Sequence, residues 1–160
     1  MNGHAKVLEI LNDLLTNELT SINQYFIHAK MCENWGYKHL AHKVREESID
    51  EMKHADRLIE RILMLDGLPN LQDLGKLLIG ENAIEILQCD LKLETAAQAT
   101  VRDGITCCEQ VRDYVTRDLL QDILSDTEEH IDHLETQLAL VDAVGVQNYL
   151  QSQMGEDEGD

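Results

Sequence analysis

Glu51-Met52-Lys53-His54 is a Glu-x-x-His run, and on a helix that spacing puts a carboxylate and an imidazole on one face. The positions around it repeat. Glu18 precedes Glu51 by 33 residues, Glu94 precedes Thr127 by 33, and His130 follows three residues later. The chain therefore reads as two similar helix pairs, each offering a ligand type from its first helix and an x-x-His element from its second. A Glu from each of two helices and a Glu-x-x-His from each of the other two make a carboxylate-bridged di-metal site inside a bundle. Mixed oxygen and nitrogen donors suit iron or manganese better than structural zinc.

The elements that must position these groups are apolar stripes at helical period. The first helix carries Leu11, Leu15, Glu18, Ile22 and Tyr25; the second Val44, Glu51, His54, Leu58, Ile62 and Leu65. The third carries Leu87, Leu91, Glu94, Val101 and Ile105; the fourth Leu120, Ile123, Thr127, His130, Leu134 and Leu138. Each stripe is interrupted near its middle by a polar residue. An unpartnered buried carboxylate costs several kcal/mol. One interruption is explained by a hydrogen-bonded core group; interruptions at matching depth in four helices point to a shared cation.

The spacing predicts helices over roughly Ala5–Asn34, Lys38–Asp66, Asn82–Val111 and Arg112–Val144, with a short fifth helix over Val146–Leu150. Gly67 and Pro69 stop the second, and Gly145 closes the fourth. Short first and third links make antiparallel neighbours. The link from Gly67 to Gly80 is long and apolar, with Leu68, Leu71, Leu74, Leu77, Leu78 and Ile79, and is expected to cross over along the side of the bundle. The fold class is all-α, a four-helix bundle with a long crossover between helices two and three. Residues 1–154 form one domain, and the acidic tail 155–160 is expected to be disordered.

Composition narrows the function classes. At 160 residues there is one domain with one sizeable core. A net charge of -18 disfavours nucleic acid and anionic membranes as partners and attracts cations. No apolar run approaches the roughly 18–20 residues that span a bilayer. The start lacks a signal-peptide pattern, and the four cysteines (Cys32, Cys89, Cys107 and Cys108) form no C-x-x-C pair. The expectation is a cytoplasmic protein with free thiols.

Longer motifs make the sequence resemble bacterioferritin from Asn2 to Met154. They are Asn23-Gln24-Tyr25-Phe26, the run from Glu47 to Asp56, Gly67-Leu68-Pro69-Asn70-Leu71, Glu128-Glu129-His130-Ile131-Asp132 and Asn148-Tyr149-Leu150-Gln151. The resemblance implies a ferritin-like fold and a hollow shell of twenty-four subunits that oxidises Fe(II) as a ferroxidase and stores the mineral. It implies haem b at two-fold subunit interfaces and a redox partner that releases the iron. Carried over residue by residue, Glu18, Glu51, His54, Glu94 and His130 match iron ligands, and Met52 matches the haem-iron ligand. Met52 lies about 100° round the helix from Glu51, on a face suited to another subunit. Trp35, Leu19, Ile22, Asn23 and Phe26 are candidates for the haem wall.

One departure stands out. Where the family has a bridging glutamate, this chain has Thr127. Glu128 is adjacent but about 100° off the stripe. Three carboxylates against two Fe(II) ions leave a charge of about +1 in a buried place, which costs several kcal/mol unless an anion compensates. The iron near Glu94 and His130 is expected to suffer more. Two functions follow: a ferroxidase that stores iron, or a haem-carrying shell subunit that co-assembles with a competent partner in a mixed shell. A DNA-protecting mini-ferritin is disfavoured because the ligands lie within one bundle and no basic tail exists. The other groups have ordinary readings: His4, His28, His39, His42 and His133 at surface or boundary, Glu47 and Asp50 on a solvated face or a cavity wall. Tyr25 is expected in the core with a hydrogen bond, or as an electron donor beside iron.

Overall fold

The computed structural model describes residues 1–155. Five helices follow in order: α1 (Ala5–Asn34), α2 (Lys38–Met64), α3 (Ala83–Gln110), α4 (Tyr114–Val144) and α5 (Val146–Ser152). α1 pairs with α2 and α3 with α4 as antiparallel hairpins, and α1 and α3 join the pairs. Two apolar clusters fill the bundle. One gathers Val7, Leu11, Leu15, Leu58, Ile62, Leu120 and Ile123; the other gathers Tyr25, Val44, Ile86, Leu87, Leu134 and Tyr149. The polar layer lies between them.

Helix ends explain the boundaries. Asn82 is the cap of α3 and not its first residue: its side-chain oxygen accepts from the Glu85 amide at 2.9 Å, and its Nδ2 donates to Glu85 Oε2. Arg112, expected inside the fourth helix, takes φ 63° and makes the turn; Asp113 then caps α4, accepting from the Thr116 amide at 3.1 Å. Asp66, expected at the end of the second helix, sits past it at φ 58°. The two hairpin turns are built alike. Tyr37 donates to the Cys32 carbonyl and Asp113 to the Cys108 carbonyl, both at 2.9 Å, with Gly36 and Arg112 as the left-handed residues.

The crossover does lie along the bundle, but its leucines do not fasten it. Leu68, Leu71, Leu74, Leu77 and Ile79 are exposed in the single chain. One polar stripe of α1 holds the strap instead. Asn12 accepts from the Asn70 amide, Thr20 from Gly75, Gln24 from Leu78, and His28 Nε2 from Gly80. The spacing of these four residues by multiples of four keeps them on one face, and each satisfies a backbone donor in an otherwise irregular segment. Of the tail, Glu156–Asp160 lie outside the described residues.

Candidate metal centre

The middle layer brings the stripe interruptions together. Glu18, Glu51 and His54 form one group, and Glu51, Glu94 and His130 a second; within each, donor atoms lie within 4.8 Å of one another. All five residues are buried. In the first group His54 Nδ1 is 3.5 Å from Glu18 Oε2 and 3.4 Å from Glu51 Oε2. In the second His130 Nδ1 is 3.1 Å from Glu51 Oε1 and 3.2 Å from Glu94 Oε1. Two ligands on one ion at about 2.0–2.1 Å stand about 3.3 Å apart in tetrahedral geometry, so these separations fit shared ions. Glu18 Oε2, Glu51 Oε1 and His54 Nδ1 are buried without a hydrogen-bond partner. Such orphans are costly in a folded protein, and converging lone pairs are what a cation satisfies.

Both outer imidazole nitrogens are held by carboxylates from the opposite helix. His54 Nε2 on α2 meets Asp126 Oδ2 on α4 at 2.7 Å, and His130 Nε2 on α4 meets Asp50 Oδ2 on α2 at 3.3 Å. A carboxylate on the outer nitrogen fixes the tautomer that turns Nδ1 inward. Each helper stands one residue before the stripe position of its own helix, and the second set repeats the first 76 residues on: Asp50 and Asp126, Glu51 and Thr127, His54 and His130. Asp126 escaped the sequence reading because its partner is 72 residues away; its place directly before the stripe residue was the only signal.

Thr127 faces the core, 3% exposed, but its hydroxyl donates to the Ile123 carbonyl of its own helix at 2.8 Å. Glu128 is exposed and reaches Arg102 at 3.6 Å, so it does not substitute. Glu51 belongs to both groups, so each keeps two carboxylates and one imidazole; the shortage at Thr127 does not fall on the second group alone in ligand number. The difference lies in occupation by protons. The Tyr25 hydroxyl donates to Glu94 Oε1, and His130 Nδ1 bonds the same oxygen. Burial pulls His130 down, but the close Glu51 and Glu94 carboxylates outweigh it and push the imidazole up to about 11.

Two further expectations are corrected. Glu47 is not on a solvated face: it is 1% exposed with both oxygens unpartnered, and burial, aided by Asp90 and Glu94, raises it to about 8. His28 is fully buried, bound to Asp90 Oδ1 at 2.8 Å, with Gln24 on the same oxygen at 2.9 Å. Asp90 was invisible in sequence because its partners lie on another helix. Asp50 is half-exposed, His4 and His39 are exposed, and His42 and His133 are intermediate.

Met52 is 46% exposed on α2, with Ile49 one turn before it exposed as well; on α1 Phe26 is exposed and Leu19 and Ile22 are half-buried. An exposed thioether on a helix surface that also exposes an apolar residue one turn away fits an axial haem ligand. Trp35 does not belong to this face. It caps α1 and packs edge-on against Tyr37, roughly 20 Å along α2 from Met52.

The family model for the ferritin-like domain matches residues 8–144. The bacterioferritin of Mycobacterium leprae is 48% identical over 149 residues, covering 93% of this chain and 94% of that protein. The bacterioferritin of Brucella melitensis is also 48% identical, covering 93% and 92%. That of Rhodobacter capsulatus is 47% identical over the same shares.

Proposed function

This chain belongs to the bacterioferritin family of ferritin-like proteins, and from that premise we propose that it stores iron, taking up Fe(II) at the layer between its helices. The observation that carries the reading is the pair of three-donor groups sharing Glu51 inside one bundle. Glu18, Glu51 and His54 would hold one ion, and Glu51, Glu94 and His130 the other. Iron at such a centre supplies one-electron chemistry toward an oxidant, which is the ferroxidase activity. The protein's own share is placement: Asp126 and Asp50 aim the imidazoles, and the two apolar clusters close the layer above and below. Met52, paired with its mate across a two-fold contact, would hold haem b in a twenty-four-subunit shell, with a redox partner drawing iron back out. Met52→Leu keeps size and helix propensity but removes the sulfur. That variant should assemble normally and lose its haem absorbance; unchanged haem content refutes the assignment.

A second reading is favoured by one observation. The Thr127 hydroxyl is committed to its own helix, so no side chain bridges from that position. In this reading the chain is a slow oxidiser that carries haem and builds a mixed shell with a competent subunit. Fe(II) titration of the pure apo-protein, with oxidation followed in parallel, separates the two. One tight ion per subunit and slow oxidation favour the mixed shell; two tight ions and rapid oxidation favour a self-sufficient ferroxidase.

A further inference from the structure

We propose that the groove between α2 and α4 at His39, His42, Glu46 and His133 binds one divalent first-row transition-metal ion, separately from the centre inside the bundle. On α2 the three residues follow at spacings of three and four, so they share one face. They line a pocket of about 100 Å³ together with His133 and Gln137 of α4, and with Lys43. Three imidazoles and a carboxylate are a donor set that suits zinc, copper, nickel or iron and not magnesium or calcium.

The geometry is half assembled. His42 Nε2 and Glu46 Oε1 stand 3.1 Å apart, close to the separation of two ligands on one tetrahedral ion. Among the described residues, only the two groups inside the bundle bring three donors within 4.8 Å, so His39 and His133 must turn to complete the groove. His39 is exposed and His133 half-buried, and the last torsion of a histidine is broad. His133 is in the form that ligates: burial, then the charges of Lys43 and His130, lower it to about 4, so it is neutral at pH 7. The Lys43 ammonium opposes a cation there; its long stem lets it swing into solvent.

The test uses zinc as the probe on the full chain, stripped of metal, at neutral pH. Calorimetric titration counts the ions per subunit, and anomalous diffraction from zinc-soaked crystals locates them. The expected result is a peak between His39, His42, Glu46 and His133. The double variant His42→Ala/His133→Ala should lose one zinc per subunit while keeping its helicity and assembly size. Glu51→Gln should weaken the ions inside the bundle and leave the groove ion in place, so this site and the storage centre fail separately. If the double variant does not fold, the exposed His39→Ala decides, with affinity weakened by roughly tenfold or more. No peak in the groove, or an unchanged count and affinity in the variants, overturns the proposal.

Discussion

The two halves of the layer have the same donor types and different resting states. In the Glu18 half, Glu18 Oε2 and His54 Nδ1 have no hydrogen-bond partner. In the Glu94 half, the Glu94 carboxylate already accepts from Tyr25 and bonds His130. A metal entering the first half meets donor atoms that no hydrogen bond occupies. One entering the second must displace a proton and break a network. Ligand lists alone do not distinguish the halves; what satisfies each donor in the absence of metal does. Thr127 sharpens the contrast, because a bridging carboxylate there would tie both halves to the same pair of ions.

The most severe way to break this comparison is to remove one arm of each half. Glu18→Ala should abolish the tight Fe(II) site, whereas Glu94→Ala should leave it within roughly threefold and erase only the weaker one, since ligand losses act locally. Equal losses in calorimetric titrations of the two variants would show that the halves bind as one unit. Next comes Thr127→Glu. Restoring the bridge should even out the two sites and speed Fe(II) oxidation on the order of 10–100-fold, the scale seen for groups that support a metal centre; a stopped-flow trace unchanged from the natural chain ends the argument from Thr127.

The supporting carboxylates give a smaller effect. Asp126 holds His54 at 2.7 Å and Asp50 holds His130 at 3.3 Å. Asp126→Asn should weaken the first site by about tenfold and Asp50→Asn the second by less, measured with Co(II) to avoid oxidation. The pH dependence has a definite sign. His130 is raised to about 11, so its ion pairs stabilise the apo-fold fully below the unfolded value near 6.5 and lose that contribution as pH climbs through the folded value. Metal must displace that proton, so Co(II) affinity of the second half should rise up to about tenfold per pH unit between pH 6 and 8. His54 is raised too, by Glu51 and Asp126 against burial, but its Nδ1 has no hydrogen-bond partner. The first half should show the shallower slope; parallel slopes would contradict the asymmetry.

The smallest effect is expected from Thr127→Val. The hydroxyl bonds only a carbonyl of its own helix, so losing it should cost no more than about 1 kcal/mol in denaturant melts. Metal affinity should stay the same; a fall would mean that the hydroxyl ligates after all.

Helix number, the antiparallel pairing and the inward placement of Glu18, Glu51, His54, Glu94 and His130 were legible in the sequence. They depend on local periodicity, and a polar residue on an apolar stripe is a local anomaly. Thr127 was legible for the same reason. What the sequence could not give depends on pairs far apart along the chain. Nothing local marks Asp126 as the partner of His54, or Asp90 as the partner of His28, because each pair is made by two helices meeting. Glu47 looked like a solvated residue flanking the motif, and only the closing of the bundle, which brings Asp90 and Glu94 of α3 and His130 of α4 toward it, made it a buried carboxylate without a partner. The crossover leucines suggested an apolar seam, yet the strap is held by Asn12, Thr20, Gln24 and His28, because an irregular backbone must find acceptors wherever it lies. Helical period assigns a side chain to a face; the tertiary fold alone decides what stands opposite that face, and therefore whether its charge is solvated, paired or left for a metal.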